Sequence, residues 1–436
     1  METNAANVKK KKPIKKILLW ALAIVFILLT AATVYVTRNF NRLLSDAVIK
    51  SFNSSSISDI YELKFEKLKV NIFSGNIKVY NVLLQPRAKP LRVYPYINSS
   101  VKLRTRKILL EDVQLMVLVK TGKFELNRIE LNGPEIEVNL NGEKYQIFPL
   151  KDTLADKNEK PEGGKKFINA FSLNEFRLIN ASFHIINTKK GREFNIRDLN
   201  ITLDKLKLGQ EPGFDYYSFQ KAGLSIGSLN VKMNRGGISS AQLSDFSFGA
   251  DSIDIHKSID TTIFKYKGFS TALNGLSINT ADSIFNLAVK SMDLSSRRKS
   301  INLAGISFKP NVSQAVLLRR DRYQKAYISA DVGSVQLQNV VFDTLVYNHK
   351  LLVDQLNIDK VFLSLFKDKR KPVDRKKSPQ YMSQKIKAIP LALHIKRVKA
   401  TGVNLLNIEQ KPDGKLAKVT VSRGILEAKN ITNLLT

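Results

Sequence analysis

The sequence predicts a mostly β protein: an elongated, twisted antiparallel sheet forming an open hydrophobic groove, preceded by one transmembrane helix. Three observations carry this expectation. An uncharged run of 20 residues lies near the N-terminus, one spacing of apolar residues recurs from about residue 63 onward, and helical periodicity is almost absent beyond the first 60 residues.

The N-terminal elements come first. Residues 1–16 form a basic tail with Lys9 to Lys12, Lys15 and Lys16. Residues 17–36, including Ile17, Trp20, Val25, Leu29 and Val36, match the length that spans a hydrocarbon layer. The heavier basic cluster upstream, against Arg38 and Arg42 downstream, predicts a cytoplasmic N-terminus with the bulk of the chain exported. A cleaved signal peptide is the alternative, with Ala31-Ala32-Thr33 near a cut, but its apolar core is usually shorter. Within 37–60, Phe40, Leu43, Leu44, Ala47, Val48 and Phe52 fall at helical spacing. They predict an amphipathic helix at the membrane surface or a plain continuation of the anchor.

Residues 61–436 then carry the recurring spacing: two apolar residues in alternation, two polar residues, and two more apolar residues in alternation. It reads Leu63, Phe65, Leu68, Val70; Ile108, Leu110, Val113, Leu115; Phe124, Leu126, Ile129, Leu131; and Phe171, Leu173, Phe176, Leu178. It continues as Phe194, Ile196, Leu199, Ile201; Leu224, Ile226, Leu229, Val231; Leu287, Val289, Met292, Leu294; and Leu351, Val353, Leu356, Ile358. Chance supplies about two such copies in a chain this long. Alternation keeps side chains on one face of a strand, and a jump of three flips the face unless the backbone corrects it. A β-bulge at the polar pair is the expected correction. Further apolar pairs follow in four copies (Ile136 and Val138, Phe183 and Ile185, Leu206 and Leu208, Leu363 and Leu365), with Ser74-Gly75-Asn76, Asn132-Gly133-Pro134 and Asn180-Ala181 at the breaks. Each unit therefore reads as a short meander with turn residues at its break.

About 25 strands at about 4.8 Å spacing would extend on the order of 100 Å. Closed sandwiches would use the same pattern. The open groove is preferred because no helical stretch is available to cover the face, and because the single Trp lies in the anchor rather than in a core. The residues expected to line the groove are the full copies at 63–70, 124–131, 171–178, 194–201 and 351–358, with Leu287 and Val289.

Two stretches interrupt the pattern and read as mobile loops: 151–166, and the basic stretch 367–378 around Pro372. The chain has 70 Lys and Arg against 38 acidic residues, a formal charge of +32, and no Cys. The charges spread over the polar positions of nearly every strand, and no nucleic-acid-binding motif accompanies them, so anionic lipid headgroups or acidic envelope polymers are the expected partners. No Cys excludes disulfides, thiolate chemistry and Cys-ligated zinc. His184, His256, His349 and His394 are scattered; Asp251, Asp254, His256 and Asp260 alternate with Ile253 and Ile255 as a solvated strand face does. No phosphate-binding loop or nucleophile motif occurs, so neither an enzyme nor a cofactor or metal site is expected.

The stretch from Tyr61 to Val82, YELKFEKLKVNIFSGNIKVYNV, with a Lys-rich tail and one anchor before it, resembles the start of AsmA-like proteins of Gram-negative envelopes. FELNRIELNGPEIEV (124–138) and LFKDKRKP (365–372) are similar to the branch of the AsmA/TamB superfamily with a single N-terminal anchor. The resemblance implies an inner-membrane-anchored periplasmic protein that helps move phospholipid toward the outer membrane, with the inner membrane, phospholipid and an outer-membrane or periplasmic protein as partners. Family members continue through a further β-rich region, whereas this sequence stops at Thr436 after the strand-like stretch 425–431, so the β region is expected to be incomplete at its C-terminus. The alternative expectation is a non-enzymatic assembly factor for outer-membrane proteins or surface polymers that offers its strand edges to partners.

Overall fold

The computed structural model describes residues 41–114, 117, 123–142, 145–149, 170–211, 214–233, 237–257, 262–320, 322–324, 326–374 and 381–434. The basic tail, the span 17–36 with Ile17, Trp20, Val25, Leu29 and Val36, and the loop 151–166 lie outside the described residues, as do Leu115 and Asp260 and the side chains of Phe124, Phe171 and Leu208. Among the described residues no helix is long and apolar enough to cross a membrane.

Residues 41–53 are helical, followed by the 3-10 turn Ser56–Asp59. Among the described residues eighteen strands then join in a single twisted sheet. The segments β1 (Tyr61–Lys64) and β2 (Lys67–Asn71) lie end to end along β3 (Asn76–Pro86), which pairs with β4 (Ser100–Glu111). Likewise β5 (Lys123–Asn132) and β6 (Glu135–Leu140) share one position between β4 and β7 (Ala170–Asn187). Next come β8 (Arg192–Asp204) and β9 (Lys207–Glu211), both along β10 (Phe214–Met233). One strand per position follows: β11 (Ile238–Lys257), β12 (Thr262–Thr280), β13 (Phe285–Ser295), β14 (Ser300–Pro310), β15 (Ala326–Gln338), β16 (Lys350–Asp368), β17 (Ala392–Gln410) and β18 (Leu416–Thr432).

Three expectations need correction. The sheet is mixed rather than antiparallel, because β7 runs parallel to β5 and β6 and β17 runs parallel to β16. A parallel neighbour needs a long return connection, and the chain supplies one between β16 and β17. Part of that connection is the stretch read as a loop from 367; β16 in fact continues through Asp368, whose carboxylate holds the Arg370 guanidinium. Second, the repeating unit is one long strand and not a meander: Asn180-Ala181 lies inside the 18-residue β7 and Gly227-Ser228 inside the 20-residue β10. Gly133-Pro134 interrupts a strand position that continues straight on from β5 into β6. Long strands explain why the sheet has 18 strands where short hairpins suggested more.

Third, the jump of three is rarely made by a bulge on a single strand. At one level across the sheet many strands carry a kink, through left-handed residues such as Asn180, Asp198, Asp245, Gly275, Gly305, Lys360, Gly402 and Arg423, while β10, β13 and β15 pass that level without one. Pairing stays residue for residue across it: Asn274 pairs with Ser291 and Leu276 with Val289 on one side, Ser291 with Ala304 and Val289 with Ile306 on the next. An insertion on one strand would shear every later strand, whereas a kink repeated at the same level preserves register and still returns the apolar side chains to one face. At Gly305 (φ +60°) a Cβ would stand 2.7 Å from the Cβ of Lys290 on β13, so glycine is required at this kink. Shifted registers occur where Leu178, Ala181 and Phe183 of β7 meet β8.

The other face is ionic. Arg128 bridges Glu111 and Glu175 on the flanking strands, Lys107 meets Glu130 at 3.4 Å, Lys309 meets Asp331 at 2.8 Å, and Glu193 faces both His184 and Lys232. These cross-strand pairs range from half-buried, as for Arg128 and Glu175, to exposed, as for Lys309 and Asp331, and the exposed ones contribute little each.

Candidate functional site

Residues paired directly across neighbouring strands share a face, so the registers trace the apolar side chains across the sheet. One row runs Leu68, Val79, Ile108, Leu131, Leu178, Ile201, Leu224, Phe248, Thr271, Leu294, Ile301, Leu337, Leu356, Val398, Ala428, crossing every strand position from β2 to β18. Beyond the kink a second row runs Leu63, Leu84, Leu103, Ile136, Phe183, Ile196, Leu229, Leu243, Leu276, Val289, Ile306, Val332, Val361. A third, two residues further along each strand, runs from Val101 through Val138, Ile185, Phe194, Val231, Ala241, Ile278, Leu287, Phe308, Ala330 and Leu363 to Leu405.

The first two rows lie on the same face, since Leu178, Leu199 and Ala181 form one packed cluster with Ile201, Leu224, Phe183 and Ile196. The sequence-predicted residues fall as follows. Leu68, Leu131, Leu178, Ile201 and Leu356 are in the first row, Leu63, Ile196 and Val289 in the second, and Phe194 and Leu287 in the third. Val70, Ile129 and Phe176 form a shorter row with Ile77 and Leu110, and Ile358 pairs with Val335 and Ala400. Phe65, in the break between β1 and β2, packs with Leu126 and Leu173 in one cluster, Leu351 and Val353 belong to another with Phe342, and Phe124 pairs with Phe171.

Most of these side chains are half-buried: in the second row only Val289 is fully buried, and Leu287 is 36 % exposed. All strands belong to one sheet, so among the described residues no second sheet covers the rows. Two helices do cover parts. Leu44 and Val48 of the helix 41–53 pack on Leu126, Leu173, Val113 and Val70, and the Val70 N–H donates to Asn41 Oδ1 at 2.7 Å. The apolar side of this helix thus meets the sheet, while Leu43 is 63 % exposed. At the other end of the sheet the helix Phe342–Asn348 seats Phe342 and Leu345 on Val353, Leu393 and Ile395.

This second cover fills a notch. The last pairs of β13 to β15 are Ser270 with Ser295, Ser300 with Gln338, and Gln338 with Gln355, so β12 runs on past them from Phe269 back to Thr262 and β16 from Asp354 back to Lys350. The helix bridges the gap. Val340 N–H donates to Lys299 O at 2.9 Å, Val341 N–H donates to Leu352 O at 3.0 Å, and Tyr266 Oη donates to Asp343 Oδ1 at 2.7 Å. Tyr266 stacks on Tyr347 at 6.1 Å, and Phe269 meets Phe342 edge to face at 5.4 Å. Burial, then the Asp343 carboxylate, push the Tyr266 phenol well above its usual range. A cavity of about 610 Å³ opens beside the helix, lined by Tyr266, Val340 and Phe342 together with Lys267, Arg297, Lys299, Lys396, Asp343 and Asp354.

Sequence reasoning missed this corner because it required aliphatic or Phe residues around a polar pair. Phe264, Tyr266, Phe269 and Thr271 have the same spacing with Tyr and Thr substituted, and Ile301, Leu303, Ile306 and Phe308 have it around Ala304-Gly305. Admitting Tyr, Thr and small central residues would have found both. Of the acidic cluster, Asp251 is paired to Arg297 at 2.6 Å and Asp254 accepts from Tyr216 Oη at 3.4 Å. Among the described residues no three His, Cys, Asp or Glu groups gather as metal ligands would. No protein-family model and no curated protein matches the chain.

Proposed function

We propose that the chain is an AsmA-like, inner-membrane-anchored periplasmic protein that binds phospholipid acyl chains in an open hydrophobic groove and contributes to lipid transfer toward the outer membrane. The observation that supports this reading is the set of three half-exposed apolar rows running across the strands without a covering sheet. Fourteen inter-strand steps of about 4.8 Å make the first row on the order of 65 Å long. One leaflet of hydrocarbon is about 15 Å thick, so the row accommodates more than one lipid along its length. Each CH₂ removed from water gains about 0.8 kcal/mol, and a face that rewets between guests offsets part of the barrier to leaving a bilayer. Because each row crosses strands perpendicular to the chain direction, a guest moves along it without opening any backbone hydrogen bond.

The test is photo-crosslinking of the full chain with a phospholipid carrying a diazirine in its tail, mapped by mass spectrometry. Labelling is expected on Ile201, Leu224, Leu229 and Ile278. Leu224→Asp and Ile278→Asp, placed at half-buried sites and checked for a folded sheet by circular dichroism, are expected to suppress it. Labelling confined to other surfaces, or indifferent to these variants, sinks the proposal.

A second reading, an assembly factor that accepts partner strands, is favoured by one feature. The edge strand β18 exposes Leu416, Val419 and Ile425 by 64 %, 57 % and 68 %, and its outer backbone edge has no strand partner among the described residues. That reading predicts protein crosslinks at β18 and no lipid label on the rows.

A further inference from the structure

The notch between β12 and β16 brings an apolar wall and a cationic rim together. Its apolar wall, Phe342 and Val340, is continuous with Phe269 and Leu294 of the row region. Its rim carries four cationic side chains against two carboxylates. Two of the cations are neutralised, Lys396 by Asp354 at 2.7 Å and Arg297 by Asp251 at 2.6 Å. Lys267 and Lys299 have no ion-pair partner among the described residues. Both are held by backbone. Lys267 sits in β12 next to Gly268, over which the Arg297 side chain lies (3.0 Å from an added Cβ to Nε), and Lys299 is a left-handed residue (φ +52°) whose carbonyl receives Val340 N–H.

We propose that this notch is an anion site for the phosphate group of an amphiphile. Lys267 and Lys299 take the phosphate, and the hydrocarbon runs over Phe342 and Phe269 onto the apolar rows. The proposal rests on the lipid reading above and adds the headgroup chemistry and the place. Two lysines lining one cavity, with no ion-pair partner among the described residues, favour a phosphate oxyanion over a hydroxyl headgroup, and the aromatic wall favours an amphiphile over a free ion. Two smaller cavities differ in their lining: the one of about 310 Å³ near Lys221 includes Arg297 with its partner Asp251, and the one of about 350 Å³ sets Lys205 and Lys207 beside Tyr216, Phe219 and Asp254.

The test uses the full chain and two diazirine probes with identical tails, phosphatidic acid and diacylglycerol. Phosphatidic acid is expected to label β12 to β16 about tenfold more efficiently, and Lys267→Gln/Lys299→Gln to remove that excess while diacylglycerol labelling stays unchanged. Lys267→Arg/Lys299→Arg is expected to retain it. Persisting diacylglycerol labelling also shows that the Gln variant is folded. If both probes label wild type equally, or the Gln variant keeps the preference, the headgroup site is wrong and the groove reading stands. If neither probe labels the face, the groove reading itself has failed. Inorganic phosphate competing as well as a short-chain phosphatidic acid would identify a simple ion site and overturn the amphiphile assignment.

Discussion

The strip of apolar face under the helix 41–53 and the strip on β8 to β12 are written in the same residue spacing, yet they have different fates. Under the helix Leu126 and Leu173 are each 5 % exposed and Val113 2 %; on β8 to β12 Ile201, Leu224, Phe248 and Leu229 are all only half-buried. The spacing fixes which face a side chain joins. What lies over that face adds to the burial that neighbouring strands already give Leu199 and Val231, and this cover comes from short helices whose sequences do not say which strands they will meet.

The difference is open to a direct energetic test. Leu173→Ala removes a fully buried side chain beneath a cover that cannot collapse freely, and is expected to cost about 3 kcal/mol. Leu224→Ala removes one already in contact with water and is expected to cost about 1 kcal/mol, since little new cavity forms. Denaturant unfolding of both variants measures the gap. Equal costs would mean that the middle strip is covered in solution after all.

A smaller effect separates the face from the kinks that create it. Gly305→Ala places a Cβ 2.7 Å from that of Lys290 at a φ of +60°, and is expected to cost about 2 kcal/mol by strain and crowding together. Because the neighbour met at Gly305 is Lys290 of β13 and not a residue of either cover, the loss should appear as faster hydrogen exchange in β13 to β15 while helix 41–53 stays protected. Loss of protection at both ends would show that the sheet opens as one unit rather than strip by strip.

These elements also show what was legible in the sequence. Phe194, Ile196, Leu199 and Ile201 gave the face and the place of the backbone correction, expected as a bulge at Arg197-Asp198 and found as a left-handed kink at Asp198, because only a correction there reconciles a jump of three with one-sided burial. The mixed pairing was not legible, since strand direction depends on where the connections before β7 and between β16 and β17 return the chain, and their composition does not encode that. The cover Phe342–Asn348 was not legible because seven residues are too few for a periodicity to stand out. The cations of the notch were hidden among 70 Lys and Arg, and only the registers show that Lys267 and Lys299 border the same gap.

The two covers differ from each other as well, and pH separates them. The anchoring contacts of helix 41–53 are Leu44, Val48 and the Asn41 to Val70 hydrogen bond, none of which titrates. The notch cover stands beside Asp354, whose carboxyl is held below its ordinary value first by the hydrogen bond from Lys396 and also by one from Asn339, the residue just before Val340. A depressed carboxyl pKa stabilises the folded form above the unfolded value, and this contribution fades as pH falls through the lower folded value. Nothing should change between pH 7 and pH 5, and the loss should begin only below about pH 4. Hydrogen exchange of residues 340–348, corrected for the intrinsic rate, should therefore accelerate in acid in the wild type, with no such step in Asp354→Asn, which starts less protected. An acid step of the same size in residues 41–53 that Asp354→Asn does not alter would assign it to general loosening of the sheet, and the notch would then have no electrostatic latch of its own.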